Sequence, residues 1–381
     1  MLRIALAVFL VTGAVNLQLP HYGLYAADAG FGSGAMALLL QGYTAALIGC
    51  LIAIGGISDA LGRKQVLTAS VVCCVVATAI VLPDPGVLSL GIARWFQGLG
   101  VGLSMGSSVA WLSQLANPKR AARIIGLAST AGFAGGPLLT ELVLRISETS
   151  VSVSYVLWTL ALVLSGISLL WVSEEAATEP RPALVRLPTF PPGTLLAGGA
   201  ISLGWSVAGI IVAVVPGIMT ESGDGAWAGA TLFVLLAAGT VAQVDARRRA
   251  PLTSLKLGAV VLTIGTAVLA TGLALGSTPL TLFGAAVAGS ATHAWLYVGG
   301  LARVAQCAPG SASSVSGFFL FAYLGFGLPA IGLGWAADTL GTTGAMLGLA
   351  CCIGIGAFVL YRAVGYSKSW PETEIKASSN V

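Results

Sequence analysis

Four ionisable side chains stand where charge is otherwise scarce: His21, Arg94, Glu141 and His293 each interrupt a long apolar run. The chain has 381 residues, 56% of them hydrophobic and 8% charged, and it holds 2 histidines. Histidine changes charge between pH 5 and 8. A chain that carries protons through an apolar interior would place histidines there, although each could equally be a neutral side chain bonded inside a helix bundle. Arg94 lies well inside its run. A guanidinium at that depth is costly, so it should face a cavity or a partner rather than reach back to the surface. Glu141 has three readings: it neutralises Arg94, it carries the proton, or it is a surface acid beyond the true end of its run.

Polar and aromatic residues accompany these groups. Asn16, Gln18, Tyr22, Gln97, Trp111, Trp205, Trp295 and Tyr297 are candidates for lining a substrate cavity. An aromatic pocket with few charges suits partly apolar organic solutes. A strongly anionic substrate would need several inward basic residues. The 6 cysteines show no C-x-x-C spacing and no H-E-x-x-H occurs, so no metal centre is expected. No G-x-x-x-x-G-K-[ST] occurs either, so nothing points to ATP hydrolysis. The chain is not expected to be an enzyme, and a net charge of +4 gives no case for a nucleic-acid partner.

The elements that must position these groups are membrane helices. A soluble domain typically carries about 25% charge, and a chain this apolar could not cover its own surface with polar groups. Continuous apolar runs of about twenty residues match the helical span length. A barrel would show shorter alternating strands. The runs predict spans at 4–26, 35–58, 66–82, 86–113, 121–143, 152–172, 194–217, 226–244, 255–276, 279–302, 311–335 and 342–363. Arg3 precedes the first run, and Asn16, Gln18 and His21 interrupt it; it reads as an uncleaved first helix. Residues 173–193 hold Pro180, Pro182, Pro188, Pro191 and Pro192 with charges of both signs, the composition of a solvated linker. The expected domains are a six-helix bundle over 1–172, a cytoplasmic linker over 173–193, a second bundle over 194–364 and a cytoplasmic tail over 365–381. With both termini cytoplasmic, every lysine and arginine except Arg94 and Arg145 falls on the inner side, as the positive-inside rule requires.

The segment Gly55-Gly56-Ile57-Ser58-Asp59-Ala60-Leu61-Gly62-Arg63-Lys64 resembles the G-x-x-x-D-x-x-G-R-[KR] loop of the major facilitator superfamily, between the second and third spans as in that family. The corresponding connection in the second half retains Asp245 and Arg249. The resemblance implies a cytoplasmic gate formed by Gly55, Asp59, Gly62, Arg63, Lys64, Asp245 and Arg249. Arg94-Trp95-Phe96-Gln97-Gly98-Leu99-Gly100 resembles the family's R-x-x-Q-G-x-G pattern in the fourth span. Gly132-Phe133-Ala134-Gly135-Gly136-Pro137 resembles part of the motif of the 12-span drug and metabolite antiporters. Gly98, Gly102, Gly106, Gly132, Gly136 and Pro137 are then helix-packing positions. In that family the first, fourth, seventh and tenth helices line the cavity, which places His21, Arg94 and His293 on three of them.

The resemblance therefore implies an all-α membrane protein of 12 transmembrane helices in two pseudo-symmetric six-helix bundles. It implies export of small organic compounds by proton antiport through alternating access, with His21, Arg94, Glu141 and His293 in proton coupling. A proton-coupled symporter for nutrient uptake is the alternative on the same fold. The expected partners are a small-molecule substrate, protons and the lipid bilayer. The proton gradient takes the place of a cofactor, the chain is expected to be a monomer, and the expected location is a bacterial inner membrane.

Overall fold

The computed structural model describes residues 1–22, 25, 28, 30–53, 61–82, 86–146, 152–174, 187–309 and 311–367. Gly55 and Asp59, most of the expected linker and most of the tail lie outside the described residues. The described residues form helices and no strand. In lipid this is the economical solution, because a helix bonds its own backbone N–H and C=O groups where no water is available.

In chain order the helices are α1 (Leu2–Asn16, followed by a 3-10 turn at Leu19–His21), α2 (Ser33–Leu40 and Gly42–Ala53), α3 (Arg63–Val81), α4 (Val87–Leu115), α5 (Pro118–Ile146) and α6 (Ser152–Leu169). The second half continues with α7 (Thr194–Ala213 and Val215–Glu221), α8 (Ala228–Ala246), α9 (Pro251–Ala274) and α10 (Thr278–Ser290, a π-helical turn at Ala291–Leu296, then Tyr297–Cys307). The stretch Ala312–Ser367 breaks at Gly341, whose φ of 74° is open to glycine at little cost. The break separates α11 from α12. Eight of the described helical stretches are long and apolar enough to cross a membrane, the last of them containing both α11 and α12.

The chain divides into two compact units. Unit 1 is Met1–Leu187 with Ile211–Phe233 and Ala330–Thr339; unit 2 is Pro188–Ile210 with Val234–Pro329 and Leu340–Val381. In unit 1, α1 packs along α5, and α4 packs along both α2 and α3. Small residues set these distances. A Cβ on Gly98 would lie 2.2 Å from the Tyr43 carbonyl oxygen, and one on Gly136 would lie 2.1 Å from that of Gly13. Gly132 is packed as closely, against Thr12 and Phe9, and a Cβ on Gly102 would lie 2.8 Å from Cys50. Gly106 departs from the packing expectation: it is exposed and a Cβ there meets open space.

Pro137 lies inside α5. Proline has no N–H to donate, so the carbonyl one turn earlier, that of Phe133, loses its intrahelical partner. Asn16 Nδ2, just at the end of α1, donates to that carbonyl at 3.3 Å. Thr140 Oγ1 donates to the Leu17 carbonyl at 2.8 Å, closing the same seam. In unit 2, α9 packs along α10 over its whole length.

Candidate functional site

In unit 1 the chemistry gathers around Arg94. Its side chain is 1% exposed. Nε donates to the Leu40 carbonyl at 3.1 Å, and Nη1 donates to the Val15 carbonyl at 2.8 Å, to Gln97 Oε1 at 3.0 Å and to Tyr22 Oη at 3.3 Å. Gln97 Nε2 in turn donates to the Ala14 carbonyl at 3.0 Å. These carbonyls are free for a reason. The last four carbonyls of a helix lack intrahelical partners, and α1 ends at Asn16 while the first part of α2 ends at Leu40. Helix C-termini also carry partial negative charge. Two of them therefore stabilise the guanidinium, which lies 4.9 Å over the Tyr43 ring. None of these partners is a carboxylate, so Glu141 does not neutralise Arg94.

Glu141 is buried elsewhere in unit 1. One carboxylate oxygen accepts from Arg145 Nη2 at 3.0 Å and the other from the backbone N–H of Ala230 at 2.9 Å. That rules out the reading of Glu141 as a surface acid. Beyond the end of α1, His21 and Gln18 are each 1% exposed, yet both ring nitrogens of His21 and Gln18 Oε1 have no hydrogen-bond partner among the described residues. The His21 ring lies 5.8 Å from that of Tyr25, whose hydroxyl is 2.9 Å from that of Tyr155. Buried polar atoms left unpaired cost about 1–3 kcal/mol each, and such groups are suited to receive a ligand's hydrogen bonds.

Unit 2 holds an aromatic cluster. The Trp205 ring of α7 stacks 6.3 Å from the His293 ring of α10 and meets Tyr323 and Phe326 of α11 edge-on at 5.1 and 6.3 Å. His293 sits on the π-helical turn, a local irregularity frequent at functional sites. Gln243 of α8 donates to its backbone carbonyl at 3.1 Å. Trp205 Nε1 and His293 Nδ1 are buried with no hydrogen-bond partner among the described residues.

Several other cavity candidates are already engaged in packing. Trp111 is fully buried, and its Nε1 donates to the Ser173 carbonyl at 3.1 Å, which fastens the end of α4 to the chain leaving α6. Trp295 Nε1 donates to Asp245 Oδ2 at 2.8 Å. Tyr297 packs between Phe318 and Phe319. Asn16 and Gln97 serve the backbone carbonyls already described. Tyr323 and Phe326 escaped sequence reasoning because they sit in an apolar run as ordinary core residues would; the spacing of three along one helix face was the available signal.

Among the gate candidates, Gly62 has φ 99°, a conformation that suits glycine, and it opens α3. The Arg63 N–H donates to the Glu174 carboxylate and Arg63 Nη1 to the Ala110 carbonyl at 3.3 Å. Lys64 Nζ donates to the carbonyls of Leu170 and Val172 at 2.6 and 3.2 Å, the carbonyl-rich end of α6. In unit 2, Arg249 donates twice to Asp245, and this pairing raises its pKa above the usual guanidinium range. Ser104 stands in the letters G-x-S-x-G at Gly102–Gly106, but it lies within continuous α4 and its hydroxyl donates to the Val101 carbonyl, so it forms no nucleophile elbow.

Residues 34–173 match the family described as sugar (and other) transporter. A stretch of 118 residues is 30% identical to the multidrug resistance protein B homolog of Mycobacterium tuberculosis (strain H37Rv), covering 30% of this chain and 22% of that protein. The matched stretch thus spans about a fifth of that relative's length. Among solved structures, a D-xylose-proton symporter aligns with a TM-score of 0.70 at 18% identity, covering 94% of this chain and 96% of the other. The nucleoside transporter NupG aligns with a TM-score of 0.74 at 14% identity, covering 95% and 98%. A POT family transporter in complex with a thioalcohol-conjugated peptide aligns at 0.73 with 12% identity, covering 94% of each chain. The chain is a multi-pass membrane protein with the fold of these transporters.

Proposed function

We propose that this chain is a secondary transporter that exports a small, partly apolar organic solute in exchange for protons, by alternating access. The observation that carries the solute class is the Trp205, His293, Tyr323 and Phe326 cluster, with two buried polar atoms awaiting a partner. Aromatic faces bind planar apolar groups, and Trp205 Nε1–H and His293 Nδ1 fix their orientation. Outward exchange is supported by the Gly132–Pro137 pattern and by the similarity to a mycobacterial multidrug resistance protein B homolog. His21 and His293 are the proposed proton-carrying groups, and Arg94 is the fixed charge that holds the unit 1 helices in register. Glu141 belongs to the gating apparatus. The proton gradient is the energy source, the bilayer is a bacterial inner membrane with both termini on the cytoplasmic face, and the chain acts alone.

Uptake by proton symport is the second reading, supported by the D-xylose-proton symporter among the structural neighbours. Reconstitution into liposomes loaded with a pH-sensitive dye separates the two. Under antiport, a solute that stabilises the purified protein against heat should drive protons opposite to its own flux. Co-directional flux establishes symport. Solute-dependent stabilisation with no coupled proton movement at any pH removes proton coupling altogether.

A further inference from the structure

Two helices of this protein meet an acid from far along the chain at their first turn. α2 begins at Ser33 with Gly32, which has no side chain to bond the first turn, in the capping position. α8 begins at Ala228 directly after the Gly225–Trp227 turn, whose Gly225 carbonyl accepts from the Ala228 N–H. The first N–H groups of a helix have no intrahelical acceptor and carry partial positive charge. Both helices receive a carboxylate acceptor. Asp338, near the end of α11, accepts from the N–H of Ser33 at 2.7 Å on one oxygen and from the N–H of Gly34 at 2.9 Å on the other. Glu141, near the end of α5, accepts from the N–H of Ala230 at 2.9 Å, and Arg145, which lies 4.3 Å over the Trp227 ring, pairs with its second oxygen.

The two contacts share one design. In each, a glycine is the second residue of the capped helix: Gly34 in α2 and Gly229 in α8. Each glycine lets a backbone come close. A Cβ on Gly334 would lie 2.7 Å from Gly34 Cα, and a Cβ on Gly229 would lie 3.0 Å from the Pro137 carbonyl oxygen. The carboxylate then follows one helical turn on, from Gly334 to Asp338 and from Pro137 to Glu141. By chain order α11 and α8 are the second-half counterparts of α5 and α2. An acid of each half therefore caps a helix of the other. All of these residues belong to unit 1, whereas α8 from Val234 onward and α11 up to Pro329 belong to unit 2.

We infer that Glu141 and Asp338 form a paired latch on the helix ends opposite the Gly62–Lys64 turn, and that these ends part only when both carboxylates release their capped helices. The inference rests on the transporter reading for its purpose, but not for its test. Glu141 is buried and Asp338 exposed, so Glu141 is the stronger member, because a charge-assisted hydrogen bond out of water is screened least.

Amide hydrogen exchange of the full chain in detergent tests the latch. Glu141→Gln and Asp338→Asn keep side-chain size and remove the charge. Each should speed exchange at the helix start it faces by about fivefold, the shift that accompanies loss of a typical cap. The decisive reading is the remote one. Glu141→Gln should also speed exchange at residues 33–36, and Asp338→Asn at residues 228–231, while α9 keeps its parental protection as evidence of folding. Restoring a local cap with Gly32→Asp in the Asp338→Ala background, where the end of the 338 side chain no longer occupies the place of the new Cβ, should reprotect residues 33–36 and leave 228–231 fast. Exchange that changes only at the facing helix, or at neither, overturns the latch. Coupled exchange in a protein that moves no solute leaves the latch standing and removes the transporter reading.

Discussion

Arg94 and its acceptors lie on α1, α2 and α4, while Trp205, Gln243 and His293 lie on α7, α8 and α10, the same three helices counted from the start of each half. The polar groups in the two places are treated in opposite ways. In unit 1, Arg94 meets two carbonyls, a glutamine and a tyrosine, supplied by helix ends that need a donor. In unit 2, the irregularity is a π-helical turn, and it leaves Trp205 Nε1 and His293 Nδ1 without partners among the described residues. A satisfied buried network rigidifies the helices around it, whereas an unsatisfied one favours whatever ligand completes it. Under the proposed function, bracing falls to the Arg94 set and recognition to the Trp205 set.

Arg94→Ala should produce the largest effect. It leaves the Leu40 and Val15 carbonyls buried without a donor, and the protein should lose about 3 kcal/mol of stability in detergent unfolding. Arg94→Lys should recover little of this, since one ammonium cannot span the fork of acceptors. Equal stability of Arg94→Ala and the parent would abolish the distinction between the two sets.

Gly98→Ala comes next, because its Cβ would meet the Tyr43 carbonyl oxygen at 2.2 Å, beneath the ring that Arg94 covers. A loss of about 2 kcal/mol is expected. Gly106→Ala, in open space, should be neutral or stabilising by up to about 1 kcal/mol. Comparing the two unfolding curves isolates the close approach from helix propensity.

Trp205→Phe sharpens the recognition side. It removes an unpartnered donor and keeps an aromatic ring, so thermal stability without solute should hold while the affinity of a bound solute falls about tenfold. Isothermal titration with a stabilising solute reads this directly, and unchanged affinity would return Trp205 to the ordinary core. The smallest effect belongs to Asn16→Leu, which leaves the Phe133 carbonyl above Pro137 without its donor. A loss of about 1 kcal/mol should appear in the same unfolding measurement.

The position of Arg94 well inside an apolar run was enough to read it as turned inward. Its partners were not readable. Carbonyls carry no side-chain signature, and those of Ala14, Val15 and Leu40 become available only because α1 stops at Asn16 and α2 breaks after Leu40. Glu141 shows the same limit: its three readings rest on one residue type at one depth. Only the arrival of Arg145 on its own helix and Ala230 from 89 residues away removes two of them. Asn16 looked like a cavity residue and is instead the donor that Pro137 lacks, a pairing across 117 positions.

What the residues determined alone was the solvent, the element type and the fold: long uncharged runs, clustered cations and the Gly62-Arg63-Lys64 turn allow little else once backbone groups must be bonded inside lipid. What only tertiary structure decided was which polar groups are spent and which are left over. Hydrogen bonds between helices depend on where each helix ends and how closely glycines let it approach, and those are properties of packed surfaces rather than of any local stretch of chain.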